Sequence, residues 1–154
     1  MPKNTRAADD TMFSDAHVHP VAKAGYDAFN RRDFNSLQSI YDERTEIINL
    51  ATGERLVGVA GVTRFMKAWI EGFSDAKAEI TDIKQAGDTV ICEFRGTGTH
   101  DGVFRASAGD IPATGKKVDV QFCDVLRIEN DRVVQIKSYF DSGTFARQLG
   151  VDAI

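Results

Sequence analysis

Cysteine, proline, histidine and tryptophan are all scarce here: two, three, three and one among 154 residues. Cys92 and Cys123 form no CxxC pair and no cysteine–histidine cluster, which excludes a disulfide scaffold and the common zinc frameworks. A reducing, cytoplasmic setting is expected. Excess positive charge is missing too. Nineteen Lys and Arg against 23 Asp and Glu leave a net charge of -4, so nucleic acid is not an expected partner. No uncharged apolar run approaches the ~20 residues of a bilayer span. The opening MPKNTRAADDTMF lacks the apolar stretch of a secretory signal, so neither membrane nor export is expected. What remains is 42% hydrophobic, 27% charged and 9% aromatic, the make-up of one globular domain. We read residues 1–15 as a polar, flexible tail and 16–154 as that domain.

Catalytic signatures are absent as well. Gly96-Thr97-Gly98 leads into loop and not into a helix, and Gly115-Lys116-Lys117 lacks the Walker spacing. There is no GxSxG elbow. His17 and His19, two apart, could share a metal only in an extended segment, and a solvated tail explains them more simply. Neither metal nor cofactor is expected.

Periodicity divides the chain in two. Val21, Ala24, Gly25, Ala28 and Phe29 recur at helical spacing. A short second helix is expected from Asp33, with Phe34, Leu37, Ile40 and Tyr41 on its apolar side. Val62, Phe65, Met66, Trp69, Ile70 and Phe73 give a third, after a Gly58–Gly61 turn. A short strand is expected from Thr45 to Leu50. Beyond Ser74 the period becomes two, with strands through Val90–Phe94, Val118–Ile128 and Val134–Phe140. Glu129-Asn130-Asp131 reads as a hairpin turn and 96–116, with five glycines, as a long irregular connection. A last helix, Thr144 to Leu149, stops at Gly150. Helices followed by one-faced strands imply an α+β domain whose antiparallel sheet is covered by helices.

Polar residues in the apolar phase are the candidates for chemistry. Asp124 shares the phase of Val118, Val120, Phe122, Leu126 and Ile128, where a carboxylate must be bonded, paired or protonated. A bulge that turns it outward is the structural alternative to a pocket floor. Ser138 occupies the same phase on the next strand, as a packing residue or a pocket group. Asn49 precedes the Ala51-Thr52-Gly53 turn, where Asn commonly serves turn geometry. His100, at a strand end beside the glycine-rich connection, is a rim residue able to carry protons near neutral pH. If the sheet curls, Asp124, Ser138 and Asn49 face one cavity lined by Phe65, Trp69, Phe94 and Phe122, with Tyr26, Ile136 and Phe140 completing the pocket.

The order of elements resembles the cone-shaped fold of the nuclear transport factor 2-like superfamily: N-terminal helices in the concave face of a curved antiparallel or mixed sheet. IPATGKKVDVQFCDVLRIENDRVVQIKSYFD, followed by ARQLG, closely resembles the polyketide cyclase (SnoaL-like) family. That likeness, over about residues 18–150, implies a small apolar or polyketide-like ligand and a homodimer paired through the outer sheet face, where Ile91, Cys123, Val125 and Tyr139 lie. Family cyclases carry an acid/base Asp where Ser138 stands. Ketosteroid isomerases of the superfamily place a tyrosine near Gly25, with Tyr26 one residue off. Their Asp base matches Asn49, and their second acid matches Asp124. Turnover of a steroid enone is therefore not expected, since Asn49 cannot take the proton.

Three functions fit. One is a cofactor-independent cyclase or isomerase-type enzyme acting by proton transfer on a cyclic, largely apolar metabolite. Asp124 would be acid or enolate-stabilising donor, Asn49 an orienting donor, and His100 or a water the base. The second is a ligand-binding or accessory protein with the same cavity and no chemistry. The third is an interaction module using the sheet's outer face.

Overall fold

The computed structural model describes residues 18–154, so the tail expected over 1–15 and His17 lie outside the described residues. Helix α1, Pro20–Arg31, starts where Pro20 needs no amide hydrogen, and His19 caps it: His19 Nδ1 accepts from the Val21 N–H at 3.1 Å. The other ring nitrogen meets Asp131 at 2.9 Å, so His19 is built into the domain rather than frayed. Among the described residues no group of three or more His, Cys, Asp and Glu is placed to hold a metal. At the far end Arg32 adopts a left-handed conformation, and its guanidinium donates to the carbonyls of Phe29, Ser74 and Ala76.

The second helix shrinks to one 3-10 turn, Leu37–Ser39. Side chains compete with the helix there: the Asp33 carboxylate takes the Ser36 N–H, and the Ser36 and Ser39 hydroxyls donate to backbone carbonyls three residues back. Tyr41, expected on a helix, opens strand β1, Tyr41–Asn49. Strand β2 is Arg55–Val57, and helix α2, Gly58–Gly72, takes in the glycines expected to form a turn.

Strands β3 (Lys77–Ala86), β4 (Thr89–Thr99), β7 (Lys117–Glu129) and β8 (Arg132–Phe140) complete a six-stranded sheet in the order β2-β1-β8-β7-β4-β3. Only β1 and β8 run parallel, so the sheet is mixed. Along β7, Val118, Val120, Phe122, Asp124, Leu126 and Ile128 are all buried, as their alternation requires. Asn130 and Asp131 both take positive φ, which gives the tight turn into β8 its right-handed twist.

The connection expected to be irregular over 96–116 is more ordered than its glycines suggest. Strand β4 runs on to Thr99, and β5 (Phe104–Ala106) pairs with β6 (Gly109–Ile111). Phe104 drives this, since it is buried with its ring 4.9 Å from that of Trp69. Helix α3, Ser142–Leu149, is capped by Asp141 and ends at Gly150 with φ 73°. The core lies between the three helices and one sheet face. Cys92 and Cys123 are both free thiols. Among the described residues no helix is long and apolar enough to cross a membrane.

Candidate functional site

A cavity with about 120 Å³ of free volume lies between α1, α2 and the inner sheet face. Tyr26, Phe65, Trp69, Phe94, Phe122, Ile136, Ser138 and Asp124 all line it. Rings form much of the wall: Phe94 and Phe122 stack at 4.9 Å and 11°, and Tyr26 tilts onto Phe94 at 5.2 Å. Gly96 makes that stack possible, because a Cβ there would sit 2.6 Å from the Phe122 ring. Lys77 is the one exposed lining residue and marks the mouth.

Asp124 is the charged group of the interior. It stands opposite Cys92 on β4 and Ser138 on β8, and is 7% exposed. The Tyr26 hydroxyl donates to its Oδ2 at 2.8 Å, while Oδ1 is buried without a hydrogen-bond partner. Burial pushes the Asp124 pKa up to about 6, against the Tyr26 and Ser138 hydroxyls, which favour the anion. Burial also holds the Tyr26 phenol well above its ordinary range, and the neighbouring carboxylate adds to that. A carboxyl poised near neutrality in an apolar cavity can both take and return a proton at pH 7.

Three expected residues stand away from this cavity. Asn49 is buried, but its Oδ1 accepts the Ala51 N–H at 3.1 Å and its backbone closes the turn to Gly53, so it serves the turn and does not line the wall. His100 is no rim residue: it is fully buried, with its ring stacked 5.1 Å from Phe73. Its Nδ1 accepts the Thr114 N–H at 3.2 Å and lies 2.9 Å from the Thr114 hydroxyl, while its backbone bonds Gly115 and Lys116. Phe73 lines the cavity and His100 does not, so an imidazole base is not among the lining groups. Phe140 forms a second layer, packed on Trp69 at 5.8 Å and Phe122 at 4.7 Å.

Tyr41, expected on the second helix, also lines the cavity. The Tyr41 hydroxyl comes so close to α1 that a Cβ on Gly25 would lie 2.1 Å from it. Gly25, the position that lacks a phenol of its own, makes room for one from β1. The sequence signal was a tyrosine among buried apolar residues facing a glycine in a helix stripe.

The profile of the SnoaL-like polyketide cyclase family matches residues 19–149. No curated protein matches the sequence. Among solved structures, a candidate SnoaL-like polyketide cyclase from Jannaschia sp. CCS1 superposes with a TM-score of 0.75 at 18% identity, over 86% of this chain and 90% of that one. IdmH from Streptomyces antibioticus, a candidate polyketide cyclase, gives 0.69 at 25% identity over 86% and 100%. A protein of ketosteroid isomerase-like fold from Catenulispora acidiphila, in complex with trimethylamine, gives 0.72 at 16% identity over 86% and 94%.

Proposed function

We propose, for a chain that belongs to the SnoaL-like polyketide cyclase family, that it binds a cyclic, largely apolar, polyketide-like molecule and moves a proton on it through Asp124. The observation that carries this reading is a buried carboxyl, Asp124, with Oδ1 unpartnered in a cavity lined by aromatic rings, where burial pushes its pKa up to about 6. At pH 7 such a group is largely carboxylate yet close enough to its pKa to give the proton back. The Asp124 carboxylate would take a proton from a carbon next to a ligand carbonyl, leaving an enolate and a neutral carboxyl. The carboxyl, whose proton exchanges with solvent, then returns a proton to the enolate at another carbon. One residue thereby fills both roles that sequence reasoning divided between Asp124 and a separate base.

Polyketide chemistry suits the lining, since flat oxygenated rings bury well against Phe94, Phe122 and Trp69. A homodimer through the outer sheet face and a reducing, cytoplasmic setting complete the proposal. Ile91 and Tyr139 are 40% and 44% exposed on β4 and β8, the strands on either side of β7, and the free thiols of Cys92 and Cys123 suit a reducing compartment.

Deuterium exchange at the carbons flanking the carbonyl of 2-tetralone tests the chemistry. The protein should accelerate exchange over buffer, with Asp124→Asn abolishing the acceleration but not binding. Binding without acceleration would assign the cavity to a carrier or accessory protein instead.

A further inference from the structure

Resting on the cavity reading above, we infer that Tyr41 is the hydrogen-bond donor to the ligand's carbonyl oxygen. The cavity's hydroxyl hydrogens are unequally committed. Tyr26 spends its own on Asp124 Oδ2 at 2.8 Å, and the Ser138 hydroxyl is turned to the same carboxyl. Tyr41 lines the cavity, and its hydroxyl makes no hydrogen bond to any described residue. Among the described residues it is not one of the fully buried unpaired atoms, so its oxygen keeps surface open to the cavity, where a phenol takes a partner when a ligand brings one. The local sequence has also cleared space for this one. Glycine at position 25 leaves the hydroxyl where it stands, since a Cβ there would lie 2.1 Å from it and push the ring end aside.

The chemistry agrees with the geometry. Burial and the nearby Asp124 carboxylate raise the Tyr41 pKa far above that of an ordinary phenol, so it stays protonated wherever Asp124 is ionised. At neutral pH Asp124 is therefore the cavity's acceptor and Tyr41 its uncommitted donor. When Asp124 takes a proton from the neighbouring carbon, negative charge grows on the carbonyl oxygen. An O–H aimed at that oxygen binds it more strongly as the charge develops.

The test uses 2-tetralone carrying carbon-13 at its carbonyl, with wild type, Tyr41→Phe and Gly25→Ala. Bound to wild type, the carbonyl resonance should move downfield as it accepts a hydrogen bond. In Tyr41→Phe that displacement should disappear and affinity should fall about 2- to 10-fold. Gly25→Ala leaves the phenol in the sequence but drives it from its place, and should reproduce both effects. If Tyr41→Phe binds with unchanged affinity and an unchanged carbonyl resonance, the assignment is overturned while the cavity reading stands. If wild type does not bind the ketone, both are overturned. Loss of downfield displacement in Asp124→Asn, with Tyr41→Phe like wild type, moves the donor role to residue 124 and overturns the assignment too.

Discussion

Tyr26 donates its hydroxyl hydrogen to Asp124 at 2.8 Å, across 98 residues of chain. The bond joins the first helix to the middle of the longest strand. It also fixes which carboxylate oxygen is committed, leaving Oδ1 without a partner.

Asp124 should make the protein less stable as pH rises. Its native pKa, about 6, lies above the unfolded value near 3.8, so between the two the native state holds more protons than the unfolded one. Stability is then fully supported below about pH 4, falls up to about pH 6, and levels off above. The full cost is about 1–3 kcal/mol. Urea unfolding of wild type and Asp124→Asn should show the variant gaining that much relative to wild type at pH 8, with the gain fading toward pH 4. A difference constant with pH would contradict the burial argument.

Tyr26→Phe should raise the Asp124 pKa further, because the lost hydroxyl favoured the anion. Carboxyl-carbon NMR reads this directly. At pH 8 the variant should also lose about 1.5–3 kcal/mol, the usual worth of a hydrogen bond to a charged group.

His100→Ala should cost about 2–4 kcal/mol without changing cavity ligand affinity. The ring packs on Phe73 and accepts the Thr114 amide, so the loss falls on the 112–116 segment. Faster amide exchange at Thr114, with 2-tetralone affinity unaltered, is the expected pair of results. A large loss of affinity in a folded variant would return His100 to the site.

Sedimentation should find a dimer at micromolar concentration. Ile91 lies opposite Val125, and Cys123 opposite Tyr139, so the four form one patch across β4, β7 and β8. Tyr139→Glu should give a folded monomer, because it adds a second carboxylate to a patch that already holds Glu93 opposite Cys123, and both would have to be desolvated against a second copy. A monomeric wild type would dismiss the proposal.

Asp124 was legible in the sequence because β7 alternates without interruption over thirteen residues. Strand β3 was not, because the register shifts between Ile80 and Asp82, so Ile80 and Ile83 fall three apart and break the period of two. Strands β5 and β6 are three residues each, too short to show a period. Tyr41 was assigned to a helix because Phe34, Leu37, Ile40 and Tyr41 do sit at helical spacing. The serine and aspartate bonds that end the turn carry no periodic signal. His100 looked solvated because its neighbours are glycines and polar residues. The stacking of a distant ring, Phe73, and the returning 114–116 segment bury it. The family profile over 19–149 agrees with the resemblance carried by the IPATGKKV and DVLRI stretches.

The parallel pairing of β1 with β8 sets a condition on how the protein is made. Tyr41 finds its partner Val133 only after roughly ninety further residues have left the ribosome, about 5–18 s at ordinary synthesis rates. Until then β1 has only the three-residue β2 beside it, and its other edge waits unpaired. Tyr41 emerges early and Asp124 late, so a nascent or prematurely ended chain holds no cavity. Pairing between such distant segments is also slow to nucleate. Mutations that weaken β8 should therefore show first as lost soluble yield, before any effect on the finished molecule.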